Sequence, residues 1–237
     1  MNVRCFSLTG IVVIGLSVST VSLTARAAGP EDGAAPLDVT LGAGSTLWLE
    51  GTSNVHDFES RTGELAITFA GDAAVPEPAD AAGLEKLIRT SAVRRVEVLV
   101  PVRSLRSKKE GLDKNLRRAL KADEHPNIRC RISRYSLMPH PGSSDTLAIR
   151  AEGTLEIAAR TRPVTLDATA HRDKAGLWLE GSKALVMSDY GIKPPTMMLG
   201  TLRVADRITV HYRLLLTPKA GGARAPSAGA HEKGAER

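Results

Sequence analysis

The chain has 237 residues, of which 42% are hydrophobic and 24% are charged, and its formal net charge is +6. Beyond the first 27 residues no segment approaches the roughly 20 apolar residues of a transmembrane helix, which excludes a helical membrane protein. Aromatic residues make up only 3% of the chain, so its core must be built from Val, Leu, Ile and Ala.

The first 27 residues have the pattern of a secretory signal peptide. Arg4 precedes an apolar run over Ile11–Leu23, and Ala25-Arg-Ala27 offers a cleavage site of the A-x-A type. We expect cleavage after Ala27 and a periplasmic protein. We expect no lipid anchor, because Cys5 lies before the apolar run and is removed with the signal peptide. Cys130 is then the one remaining cysteine, which excludes an internal disulfide.

Period-two alternation dominates the rest of the chain and is typical of strands with one dry and one wet face. Residues 28–40 lack this pattern, and we expect a flexible N-terminal segment there. The alternation predicts strands near residues 46–50, 64–69, 96–102, 128–134, 147–151 with 155–157, 164–169, 177–184 and 208–216. About eight strands suit one antiparallel β-barrel over residues 41–217.

Two interruptions of the alternation predict short helices. One is a turn of helix over Gly83–Arg89. The other is Lys108–Ala122, where Leu112, Leu116 and Leu120 recur at i, i+4 and i+8, so that one apolar face packs over a rim of the barrel. Residues 218–237 mix Ala, Gly, Pro and charge without an apolar period, and we expect a disordered tail.

Residue types of a hydrolytic site are present without the surroundings that such a site needs. Ser53 with His56 and Asp57, or Ser188 with Asp189, supplies triad residue types, but neither serine lies in a G-x-S-x-G elbow. A hydrogen-bonded turn is the simpler interpretation of His56-Asp57. Because the histidines also lack zinc-site spacings, we expect no enzyme, no metal and no cofactor.

A basic stretch runs from Arg103 to Arg134, with eleven Lys or Arg against four Asp or Glu. Most such stretches are solvated faces. The alternative is a surface that meets anionic membrane headgroups, with Arg117, Arg118 and Lys121 on the outer side of the helix. Nucleic acid is not expected as a partner, because the export signal and the lack of interleaved aromatic residues argue against it.

Four motifs together identify a resemblance. They are Pro101-Val-Arg-Ser-Leu105, the run LDKNLRRALKADEHP over residues 112–126, Gly153-Thr-Leu-Glu-Ile157 followed by TRPVTL over 161–166, and the long loop of residues 188–207 that leads into the last strand. In this order they resemble the YceI-like family of secreted, lipocalin-like barrels that bind polyisoprenoids or other lipids. Many members open with His-Ser-x-x-x-Phe, whereas this chain reads GTSNVHDFES over 51–60. This opening matches a subgroup of the family, whose ligand can differ from the family's best-known one.

The resemblance implies a periplasmic, non-catalytic carrier with a long-chain lipid in its lumen. The dry faces of the strands supply the lumen candidates, which are Val98, Val100, Ile128, Cys130, Ile149, Leu155, Leu166, Val210 and Tyr212. The mouth candidates are Tyr190, Met197 and Met198, which equally suit a plug of the barrel end. The rival hypothesis is an envelope stress-related interaction protein with a filled barrel and the basic helix as its working surface.

Overall fold

The computed structural model describes residues 34–139, 146–194, 196–197 and 202–219, with the backbone alone at 196, 197 and 202. The expected leader, and the expected tail beyond Lys219, lie outside these residues. The helices are α1 (Ala81–Arg89) and α2 (Glu110–Ala119), with 3₁₀ helices at Val102–Ser104 and Met187–Tyr190. The strands are β1 (Ala34–Leu37), β2 (Val39–Leu41), β3 (Thr46–Ser53), β4 (Phe58–Thr62), β5 (Ala66–Asp72), β6 (Val93–Pro101), β7 (Asn127–Met138), β8 (Thr146–Ile157), β9 (Arg160–Arg172), β10 (Leu177–Val186), β11 (Thr196–Met197) and β12 (Leu202–Pro218).

Ten of these strands form one curled antiparallel sheet in the order β1-β5-β6-β7-β8-β9-β10-β12-β3-β4. Most neighbours are consecutive in the chain, so the wall is largely a meander of hairpins. The all-β barrel predicted from the alternation is confirmed. The number of strands exceeds the predicted eight, because short strands such as β4 carry too little alternation to be recognised.

The N-terminal segment closes one end of this sheet, which corrects the expectation of a flexible stretch up to residue 40. β1 pairs with β5, with Leu37 opposite Phe69, and β2 pairs with the far end of β12, with Leu41 opposite Leu216. The segment thus bridges two strands that are distant in the sheet order. Backbone hydrogen bonds and the burial of Leu37 and Val39 hold it, and neither requires an alternating sequence.

The opposite edge of the sheet, strand β4, meets the rest of the barrel without a full strand pair. β4 and the segment after β6 exchange two backbone hydrogen bonds, from the Arg61 amide to the Arg106 carbonyl (2.8 Å) and from the Arg106 amide to the Arg61 carbonyl (2.9 Å). The 3₁₀ helix at Val102–Ser104 makes this possible, because it turns the chain after Pro101. The strand predicted to reach Val102 therefore ends one residue earlier.

The two helices lie over opposite ends of the barrel. Asp80 caps the N-terminus of α1, where its Oδ1 accepts the Gly83 amide at 2.8 Å. α1 buries Leu84 and Leu87 in one apolar cluster. α2 packs Leu116 and Ala119 on a second cluster. Its predicted leucine face is confirmed, although α2 is shorter than expected because Lys121 adopts a positive φ of 52°.

The hairpin between β8 and β9 contains a strained turn. Ile157 pairs with Arg160, and the two residues between them, Ala158 and Ala159, have φ angles of 46° and 64°. A two-residue hairpin turn with both φ angles positive is the type I′ turn, which favours Asn and Gly. Two alanines in this conformation bear a steric cost in the left-handed region.

We expect Ala159→Gly to raise the free energy of unfolding by about 1 kcal/mol, because glycine removes the steric cost of a positive φ. Urea unfolding followed by circular dichroism measures the change. The matched control is Ala184→Gly, at an exposed position within β10, where glycine should lower stability by about 0.5–1 kcal/mol. Equal losses in the two variants would contradict the I′ turn.

Candidate functional site

The barrel encloses a cavity of about 310 Å³, which lies at the lower end of the volumes of small-molecule sites. Its lining takes residues from both apolar clusters, including Phe69 and Ile88 near α1 and Leu116 and Tyr190 near α2. The cavity therefore extends along the barrel axis between the two covering helices. Nearly all of its wall is aliphatic or aromatic.

Ten of the twelve residues predicted from the sequence line this cavity. They are Val98, Val100, Ile128, Cys130, Ile149, Leu155, Leu166, Tyr190, Val210 and Tyr212. The side chain of Met197 and the whole of Met198 lie outside the described residues, so their role at a mouth stays a prediction. Met197 belongs to β11, which pairs with the start of β12, so this connection contains a small hairpin.

The structure adds lining residues that sequence reasoning missed. Leu112 and Leu116 of α2, with Leu120 at its C-cap, contribute to the wall, although they were predicted only to pack on a rim. Tyr135 also lines the cavity, out of phase with Ile128 and Cys130 on the same strand, because β7 has a bulge between residues 132 and 134. The alternation in the sequence signals the even positions, but it gives no sign of the bulge.

Two tyrosines in the wall satisfy their hydroxyl groups on backbone carbonyls. Tyr212 Oη donates to the Asp167 carbonyl at 3.1 Å, and Tyr135 Oη donates to the Ile88 carbonyl at 3.1 Å. The first bond requires a glycine at 181, because a Cβ there would lie 2.3 Å from the Tyr212 hydroxyl oxygen. Since these hydroxyls already donate within the protein, they leave the centre of the cavity apolar.

Three titratable groups of the cavity wall, Cys130, Tyr190 and Tyr212, are uncharged at neutral pH. Burial raises the pKa of Tyr212 to about 12 and that of the Cys130 thiol to about 11, and it also raises the pKa of Tyr190. A thiol with such a raised pKa carries little thiolate at pH 7. This environment suits binding by shape and dispersion, and none of these three groups is an activated nucleophile.

On the outer face, the arginines of β7 are balanced by carboxylates on neighbouring strands. Arg129 Nε lies 2.8 Å from Glu97 Oε1, and Arg134 forms a 2.8 Å ion pair with Glu152. By contrast, the ion pairs of the described residues include none of Arg117, Arg118 and Lys121. The basic residues on and just after α2 are thus part of the unbalanced section of the basic stretch.

The serines considered for hydrolysis have other partners. Ser53 Oγ donates to the His56 carbonyl at 2.7 Å and accepts the His56 amide at 3.1 Å, which confirms the turn predicted for His56-Asp57. Ser188 Oγ bonds to Asp206 Oδ2 at 2.5 Å. Within the part of the chain that the structure describes, no group of three or more His, Cys, Asp or Glu could hold a metal ion. The same residues contain no helix long and apolar enough to cross a membrane.

Comparisons with known proteins agree with this architecture. BcnA from Burkholderia cenocepacia superposes with a TM-score of 0.53 at 15% identity, over 73% of this chain and 95% of that protein. A polyisoprenoid binding domain from Saccharophagus degradans, implicated in plant cell wall breakdown, superposes with a TM-score of 0.53 at 10% identity, over 77% of this chain and 99% of the domain. No curated protein matches the sequence significantly. Residues 41–216 match the model of the YceI-like domain, and the chain therefore belongs to the YceI-like family.

Proposed function

We propose that this protein binds a polyisoprenoid or a similar long-chain lipid in its barrel and acts as a non-catalytic carrier or sequestering protein. The observation that carries the proposal is the cavity of about 310 Å³ whose wall is almost entirely aliphatic or aromatic. Each methylene group of a ligand moved from water into such a wall contributes about 0.8 kcal/mol. Affinity therefore rises with chain length until the cavity is full.

The fold shared with a polyisoprenoid binding domain supports the ligand class. The cavity also favours a carrier over the rival hypothesis of a barrel filled by its own side chains. Among the described residues, Ser53 Oγ bonds to the backbone of His56 and no cluster of ligands could hold a metal ion. We propose binding and release as the whole reaction.

We further propose that the carrier works in the periplasm, on the strength of the leader pattern in the first 27 residues. A periplasmic carrier has to collect its lipid from a membrane or deliver it to one. Arg117, Arg118 and Lys121 lie at the α2 end of the barrel, and anionic headgroups attract such a cluster at close range. We propose that this end faces the membrane during transfer.

Filling the cavity tests the binding site. We expect Ala151→Phe to lower lipid affinity by about tenfold or more, because a ring at this lining position displaces ligand methylenes worth about 0.8 kcal/mol each. Displacement of a fluorescent C18 polyene, followed by titration, measures the affinity. Thermal unfolding should show little loss, since the ring enters existing space.

The matched control for Ala151→Phe is Glu152→Phe, at the next residue of β8, whose side chain faces outward to Arg134. Affinity should remain within about twofold in this control. Unchanged affinity in folded Ala151→Phe would contradict a ligand site in the barrel.

Reversing the charge at the α2 end tests the membrane contact. Replacing Arg117, Arg118 and Lys121 by Glu should abolish most binding to vesicles that contain anionic lipid, since each basic residue contributes about 1 kcal/mol near such a surface. Co-sedimentation with vesicles at low and high salt measures the effect.

The control with the same change in charge replaces Arg95, Lys174 and Arg207, which are exposed at other places on the barrel. Vesicle binding should fall much less in this control. If the two triple variants lose vesicle binding equally, only net charge matters and the α2 end has no special role.

A further inference from the structure

The cavity has one charged residue among the described residues of its lining, and that residue is Lys183 on β10. Lys183 pairs with Val210 of β12, and both belong to the lining. Leu179, four residues before it, and Leu185, two residues after it, have the same strand parity and also line the cavity. By the period of a strand, position 183 belongs to the inner face, where an aliphatic residue would be expected.

Lys183 lies where the strands β9 and β10 of the barrel wall separate from each other. The ladder between β9 and β10 ends at the pair of Ser182 with Asp167, although β10 continues to Val186 and β9 extends back to Arg160. The 3₁₀ helix Met187–Tyr190 lies against β9 in this region, where Arg162 Nε donates to the Asp189 carbonyl at 3.0 Å. The side chain of Lys183 is half-buried, which places a long, amphipathic side chain between the apolar lumen and the solvent.

The charge of Lys183 has no dedicated partner in the part of the chain that the structure describes. No carboxylate there forms an ion pair with Lys183. Its positive charge helps to lower the pKa of Asp167, but the larger cause is Arg150, whose Nε lies 2.7 Å from Asp167 Oδ1 on the outer face. The Asp167 carboxylate is therefore already paired.

A lone positive charge in an apolar wall has a chemical consequence for the ligand. A partly desolvated ammonium group is costly unless an anion accompanies it, and the described wall supplies none. A lipid with an apolar chain and an acidic headgroup supplies both a filling for the lumen and an anion for the ammonium group. Its chain fills the lumen, while its anionic end meets the ammonium group at the separation of β9 and β10.

We propose, on the basis of the lipid-binding function proposed above, that the ligand carries an acidic headgroup, a carboxylate or a phosphate, and that Lys183 binds it. Lys183 is then a specificity residue that separates acidic lipids from neutral ones of the same chain. The hydrophobic wall sets the affinity for the chain, and Lys183 sets the preference for the headgroup.

The test compares two fluorescent probes that share one C18 tetraene chain, cis-parinaric acid and the corresponding alcohol. The unaltered protein should bind the acid about tenfold or more tightly than the alcohol, as expected for a hydrogen bond to a charged group. Lys183→Met keeps the length of the side chain and removes the charge. It should weaken binding of the acid to the level of the alcohol and leave the alcohol unchanged, whereas Lys183→Arg should keep the preference.

The control for net charge is Lys174→Met, in the exposed turn between β9 and β10, which should bind both probes as the unaltered protein does. Equal affinity of the unaltered protein for acid and alcohol would overturn the headgroup assignment alone. A preference that survives Lys183→Met would overturn the role of Lys183. Failure of both probes to bind would overturn the proposed lipid-binding function itself. Geranylgeranyl phosphate as competitor, compared with parinaric acid, then distinguishes a phosphate from a carboxylate headgroup.

Discussion

The interior of this barrel stays open because its wall is too wide for the side chains that face inward. An eight-stranded barrel is just wide enough for side chains to fill, whereas this sheet has ten strands in its path. Its inner face is mainly Val, Leu, Ile and Ala. All the described Phe and Tyr residues line the cavity as well, and a volume of about 310 Å³ remains.

The two tryptophans of the barrel do not help to fill it, because both belong to the outer face. Trp48 stacks on His211 with ring centroids 5.0 Å apart, and Arg213 lies over the ring of Trp178 at 4.2 Å. Large side chains thus stabilise the outside through stacking and cation–π contacts. Because neither tryptophan enters the lumen, more of its volume remains for a ligand.

Closure of the wall depends on backbone pairing more than on side-chain pattern, and this limits what the sequence reveals. The alternation predicted the inner face of β6 through Val98 and Val100, because burial selects apolar residues at every second position. It gave no sign of the bridging by residues 34–41, since backbone hydrogen bonds place little demand on residue type.

Other features of the site escape sequence reasoning for different physical reasons. The bulge in β7 shifts Tyr135 onto the inner face, and a bulge leaves no reliable pattern in a single sequence. Lys183 interrupts the aliphatic face of β10, and its charge suggests an outward residue although the strand period and the register with Val210 place it on the inner face. Both cases depend on which residues of neighbouring strands lie opposite each other.

The central claim is that the lumen holds a long apolar ligand, and mass spectrometry tests it directly. The protein is purified from its host cells under native conditions, its intact mass is measured, and the material is then extracted with organic solvent. The account predicts a long-chain lipid at nearly equal molar amount, lost in the Ala151→Phe variant and retained in Glu152→Phe. Protein that carries no lipid from the host cells and takes up none on incubation with a lipid extract of those cells would contradict it.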